Sequence, residues 1–165
     1  TPNSSWCSMT DANPRAQALA RRFREIAETR MRGLPLLHPA LEVETVGFAW
    51  QQIDPDAVTG LLGILITPWC MNLVWLADQP APAEGTVHEY RIGEQRLDFI
   101  SVHDEVFGPY QSCSLFSPMF DFNDARSARD TANHVLSLLR RPPVQAPANP
   151  SRRRLLFGRL SEERT

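Results

Sequence analysis

LLGILITPWCMNLVWLA, residues 61–77, decides the fold. LLGILIT (61–67) is apolar without a break, and a short run of this kind bounded by turn residues reads as a central strand buried on both faces. Pro68 has no N–H to offer a strand ladder, so the strand ends there. MNLVWLA (71–77) then reads as a second apolar strand, with Pro68 turning Trp69 and Met71 toward whatever lies at the sheet's end.

Upstream, LEVETVGFAW (41–50) sets Leu41, Val43 and Thr45 against Glu42, Glu44 and Val46, the pattern of a half-exposed strand, and residues 51–60 read as a turn. GLPLLHP (33–39) is a connection stiffened by two prolines. Before it lies an amphipathic helix capped by Asn13 and opened by Pro14, with Leu19, Phe23, Ile26 and Ala27 on its apolar side. Residues 1–12 read as a flexible N-terminus.

Downstream, 78–85 is a loop, and TVHEYRIG with EQRLDFISV predicts a hairpin turning near Gly93-Glu94. GPYQSCSLFSPMFDF (108–122) reads as irregular, broken by Pro109 and Pro118. A second helix follows, capped by Asn123 or Asp124, with an apolar stripe of Ala128, Ala132, Val135, Leu136 and Leu139; Pro142-Pro143 stop it. The order helix, strands, helix predicts a single α+β domain over residues 13–141. Its mostly antiparallel sheet of four to five strands is packed by an N-terminal and a C-terminal helix. Residues 142–165 read as a proline-rich linker and a disordered basic tail.

Composition narrows the function classes. All 17 basic residues are arginine; residues 140–165 hold seven of them against two glutamates, and residues 1–139 hold ten against 17 acids. An acidic body repels nucleic-acid phosphates, so a nucleic-acid role is not expected. Membrane insertion is not expected either, because the best apolar run contains Thr67, Pro68 and Asn72. The start of the chain lacks a basic end and apolar core of the secretory kind, which predicts a cytoplasmic protein. Cys7, Cys70 and Cys113 show no CxxC spacing, the four histidines show no HxxxH, and no phosphate-binding glycine loop is present. No metal, nucleotide or other cofactor is therefore expected.

Three features compete for function. A cysteine nucleophile needs a base and a depressed pKa, yet Cys70 sits in apolar surroundings that raise it, and Cys113 in QSCS has no evident base. The large apolar residues Trp69, Met71, Trp75, Tyr110, Phe116, Met119 and Phe120 cluster where prolines break regular structure, and are open between core filling and a loose peptide-binding surface. Third, SRRRLLF (151–157) has the pattern of a twin-arginine export signal but is C-terminal and lacks the apolar stretch such a signal needs.

GILITPWCMNLVWL and GPYQSCSLFSPMFDF, with FREIAETRMRGLPLLHPALEVETVGF in the first third, resemble the nickel–iron hydrogenase assembly chaperones named HybE, or HupJ in uptake-hydrogenase systems. The likeness runs from about Asn13 to Leu139, and the tail looks similar as well. Cys70 departs from it, standing where that family often has a bulky aromatic. The resemblance implies a non-enzymatic accessory protein that binds hydrogenase subunit precursors. The small subunit with its twin-arginine signal is the chief client implied, with the large subunit and other maturation proteins as further partners. The clients would be held in the cytoplasm until assembly is complete, with no metal or nucleotide in the chaperone. On that reading Glu42, Glu44, Asp98, Asp104, Glu105 and Asp121 are candidates to receive the twin arginines, and the aromatic–methionine residues to line an apolar groove. Ser151, Arg152, Arg153, Leu155 and Leu156 are candidates for a tethered mimic of the signal. The alternative is a small enzyme or redox protein acting through Cys113.

Overall fold

The computed structural model of the chain describes residues 13–53 and 58–140. Two helices, α1 (Pro14–Glu28) and α2 (Ala125–Leu139), flank strands β1 (Glu44–Ile53), β2 (Val58–Ile66), β3 (Met71–Ala77), β4 (Val87–Ile92), β5 (Gln95–Asp104) and β6 (Gly108–Phe116). All pairings are antiparallel, in the order β1-β2-β3-β6-β5-β4. The two outermost strands, β1 and β4, nonetheless touch, so the sheet curls round on itself.

β2 and β3 are buried along nearly their whole length. Leu62, Ile64 and Ile66 of β2, with Met71, Leu73 and Trp75 of β3, point into the curl, where α2 adds Ala128, Ala132, Leu136 and Leu139. The alternate residues Leu61, Leu65, Val74 and Leu76 point outward against Ala16, Leu19 and Ala20 of α1. One helix therefore covers each face of the same apolar hairpin, and period-2 alternation separates two cores rather than core from solvent.

Two glycines permit this packing. Gly47 has φ +63° beside a register shift between Val46 and Ala49, and a Cβ there would stand 2.6 Å from Leu136 Cδ1. Bulged strands use such a residue to bend and twist. Gly63 leaves the space that Phe48 occupies, with the aromatic ring and backbone of Phe48 pressed against the bare Cα.

Both helix starts are as expected. Asn13 Oδ1 accepts from Arg15 N–H at 2.9 Å, and Asp124 shares a capping box with Ser127. The β4–β5 hairpin turns at Gly93-Glu94.

The sheet has six strands, not four to five. The addition is β6, which lies centrally between β3 and β5 although residues 108–122 read as irregular. Its polar run hid it: Gln111 and Ser112 are buried, and Tyr90 Oη donates to Gln111 Oε1 at 2.9 Å. Pro109 is tolerated because it lies next to the strand's first residue. β1 begins at Glu44 rather than Leu41 and continues to Ile53, and β2 begins at Val58, so most of the expected turn is strand. The N-terminal segment 1–12, the linker and the basic tail with SRRRLLF lie outside the described residues.

Gly63→Ala should cost about 1–3 kcal/mol, the usual cost of overpacking a filled core, read as a lower denaturant midpoint at unchanged slope. Gly33→Ala tests a different cost, since nothing lies within 4 Å of its Cβ position and only φ +78° opposes it.

Candidate functional site

Three connections meet at one end of the sheet and are joined by a histidine. The β2–β3 turn is closed by Thr67, whose N–H donates to Cys70 O at 2.8 Å and whose Oγ1 accepts from the N–H groups of Trp69 (3.2 Å) and Cys70 (2.9 Å). Pro68 O accepts from His38 N–H at 2.9 Å. Ala40 N–H donates to His38 Nδ1 at 3.0 Å, which places the ring proton on Nε2, and Nε2–H donates to Phe122 O at 2.7 Å. The α1–β1 connection, the β2–β3 turn and the β6–α2 connection are thus tied at buried His38, to the turn through its backbone N–H and to Phe122 through its ring.

Around this knot the large apolar side chains divide. Trp69, half-buried, stacks on Phe23 of α1 at 6.3 Å between ring centroids. Phe120 is 52% exposed and stacks on His38 at 6.2 Å; Phe116 is 38% exposed and meets Phe122 edge-on at 5.2 Å. Leu34 and Leu36, in the connection that leads to His38, are exposed as well. Met71, Trp75 and Met119 lie in the inner core, none more than 1% exposed, and present no surface to a client. Tyr110 is buried on the outer face beneath α1, edge-on to Phe23 and Phe107. An apolar rim of Leu34, Leu36, Trp69, Phe116 and Phe120 therefore replaces the wider set expected from sequence. Leu34 and Leu36 went unnoticed there, although two leucines in a proline-bounded connection next to a histidine were the available signal.

The acidic candidates also separate. Asp104 is not open to a partner: Arg22 Nε donates to both of its oxygens (2.8 and 3.0 Å), and Val106 and Phe107 N–H donate to Oδ1 (2.9 and 2.7 Å). Glu44 is bound to Arg129 of α2 at 2.8 Å, and Glu105 has Arg30 at 3.7 Å. Glu42, Asp98 and Asp121 are exposed; Asp121 adjoins Phe120 and Glu42 adjoins Leu41, so both lie in the connections that carry the rim.

The thiols are poorly set up for attack. Burial pushes Cys70 up despite its contact with Thr67 Oγ1, and burial together with the Asp98 charge pushes up Cys113. Tyr110 is pushed up to about 12, by burial and then by the charges of Asp104 and Cys70, so it stays a neutral phenol. Among the described residues no three His, Cys, Asp or Glu side chains are grouped to hold a metal, and no helix is long and apolar enough to cross a membrane.

Comparison with known proteins gives the family and the fold. Residues 14–158 match the family model for the NiFe-hydrogenase assembly chaperone HybE. The chain is 43% identical over 160 residues to Protein HoxT of Cupriavidus necator, covering 88% of this chain and 89% of that one. It is 39% identical to the hydrogenase expression/formation protein HupJ of Bradyrhizobium diazoefficiens, covering 92% and 96%. The solution structure of HybE from Escherichia coli has the same fold, with TM-score 0.61 and 23% identity over 82% of this chain and 83% of that one.

Asp104 makes the fold sensitive to acid. Burial works to raise its carboxyl, but the bonds from Arg22, Phe107 and Val106 outweigh this and hold it below the ordinary carboxylate range. A depressed folded value means its stabilisation is complete above the unfolded pKa of about 3.9 and is lost as pH falls through the folded value. Asp104→Asn should lower the melting temperature at pH 7 and flatten its decline as the pH falls below about 4, as measured by thermal melts at a series of pH values.

Proposed function

The chain belongs to the HybE family of NiFe-hydrogenase assembly chaperones, and from that premise we propose that it binds a hydrogenase small-subunit precursor by its twin-arginine signal. It holds that precursor in the cytoplasm until assembly is complete. The large subunit and other maturation proteins are further partners in this reading, and no nucleic acid, membrane insertion or catalysis is involved.

The observation that carries the proposal is the apolar rim joined at His38. Leu34, Leu36 and Phe120 are exposed on the connections that meet at His38, Phe116 is exposed at the end of β6, and half-buried Trp69 lies in the turn that His38 holds. Monomeric proteins seldom expose grouped large apolar residues without a partner for them. An apolar stretch of an export signal is the kind of segment such a rim would hold, and exposed Asp121 and Glu42, on the same connections, are the acids offered to its arginines. Release needs no nucleotide if the next partner in assembly competes for the same client.

A thiol reaction at Cys113 is the rival reading, and the raised thiol with no base beside it speaks against it. Cys113→Ala separates the two, since a chaperone keeps its client while a thiol enzyme loses all activity.

Phe120→Ser should weaken binding of a signal-bearing small-subunit precursor tenfold or more, the loss expected for a central apolar anchor, with an unchanged far-ultraviolet circular dichroism spectrum. Unchanged affinity would move the client elsewhere. The tail enters as a competitor, since a signal-like segment tethered to the same chain can reach an effective concentration on the order of millimolar. Deleting residues 148–165 should therefore tighten binding of a free signal peptide.

A further inference from the structure

Charge is distributed unevenly over the chain. Residues 13–32 carry six arginines against two glutamates, whereas residues 33–139 carry four arginines against 14 acids. The basic segment is α1 and the turn after it, lying on an otherwise acidic body.

A cleft of about 560 Å³ opens between α1, from Pro14 to Glu25, and the β5–β6 turn. Arg15, Arg21 and Arg22 line it together with Glu25, and Asp104 stands behind Arg22; Pro14, Ala18, Val106, Phe107 and Pro109 supply apolar wall. Val106 is exposed at its mouth. The cleft begins at the end of the sheet away from the rim and runs along α1 as far as Glu25. Arg15 reaches the carbonyls of Leu76 and Ala77 at the far end of β3, whereas Phe23, two turns on, meets Trp69 at the near end.

Arg22 is the unusual member. It is a cation 6% exposed, held by Asp104 through Nε and by Glu25 through Nη1 at 3.4 Å, while Nη2 is buried with no acceptor. Nη2 is closed off from solvent, but a guanidinium with an unmet N–H gains from a further carboxylate once Glu25 moves aside, because the planar donor fork takes two oxygens at once. Glu25 is the replaceable partner: its side chain is 57% exposed and its contact is long. An incoming carboxylate can take over from Glu25 on Arg22, with Arg21 on the solvent side adding a second charge.

We propose that this cleft binds an acidic segment of a partner protein, a glutamate or aspartate carboxylate seated on Arg22 and Arg21 with an adjacent large apolar side chain against Val106 and Phe107. The proposal does not rest on the client reading, since none of the residues lining the cleft belongs to the rim. It would let the protein hold a second protein while the rim is occupied.

The test uses the full chain and the peptide acetyl-Leu-Glu-Glu-Leu-amide, followed through the arginine Nε–H and the Val106 and Phe107 amide signals in nuclear magnetic resonance titrations at low salt. Saturable shifts should be confined to Arg15, Arg21, Arg22, Val106 and Phe107. Arg21→Glu should weaken binding tenfold or more, and Glu25→Gln should strengthen it several-fold; both side chains are solvent-facing, so neither change threatens the fold. Raising salt to 0.5 M should abolish most of the response. Absence of shifts at millimolar peptide would overturn the proposal, as would equal binding by Arg21→Glu, or an equal response to acetyl-Leu-Arg-Arg-Leu-amide. Shifts at these five residues that need no peptide and vanish in Glu162→Gln/Glu163→Gln would also overturn it, showing that the chain's own end fills the cleft.

Discussion

Burying one β-hairpin on both faces is the constraint from which the architecture follows. Neither side of Leu61–Ile66 or Met71–Leu76 can face water, and each large apolar side chain withdrawn from solvent contributes about 1.5–3 kcal/mol. A lone sheet cannot satisfy that demand. α1 closes the outer face, while α2 and the curl of the sheet close the inner one. The glycines at 47 and 63 follow from the same demand, one where Leu136 of α2 approaches β1 and one where Phe48 crosses β2. Cys70 belongs to this arrangement as well, as a buried residue in a turn closed by Thr67.

That hairpin was legible because it breaks the ordinary alternation of apolar and polar residues, and the helix starts were legible because Asn13, Pro14 and Asp124 are local signals. β6 was not. A strand of Gly, Pro, Gln and Ser has no pattern of its own; it is a strand because β3 and β5 offer ladders on either side and Tyr90 satisfies Gln111. The large apolar residues of the site show the same limit. Sequence identifies Met71, Trp75, Met119, Phe116 and Phe120 as a group, but which way Met71, Trp75 and Phe116 point depends on strand parity, and Met119 and Phe120 lie in the connection beyond β6. The irregularity between Met71 and Asn72 shifts that parity where β3 meets β6. Three of the five are core and two are surface. His38 gave no motif at all, since its partners Pro68 and Phe122 are 30 and 84 residues away.

Position on the sheet separates stability from recognition. Arg22 and Asp104 tie α1 to the β5–β6 turn, so the most buried ion pair holds the outer helix in place and is not offered to arginines of a client. At the opposite end, His38 fixes three backbones while leaving Phe120, Phe116, Leu34 and Leu36 outside. A surface preorganised in this way loses little freedom on binding, which suits a protein that must grip a client firmly enough to hold it and loosely enough to hand it on.

Recovery of the small-subunit precursor with this chain, from cells making that precursor with or without its twin-arginine signal, tests the assignment of the rim most directly. The signal-bearing precursor should co-purify and the signal-less one should not. Equal recovery of both forms, or of neither, would contradict a client surface that reads the signal.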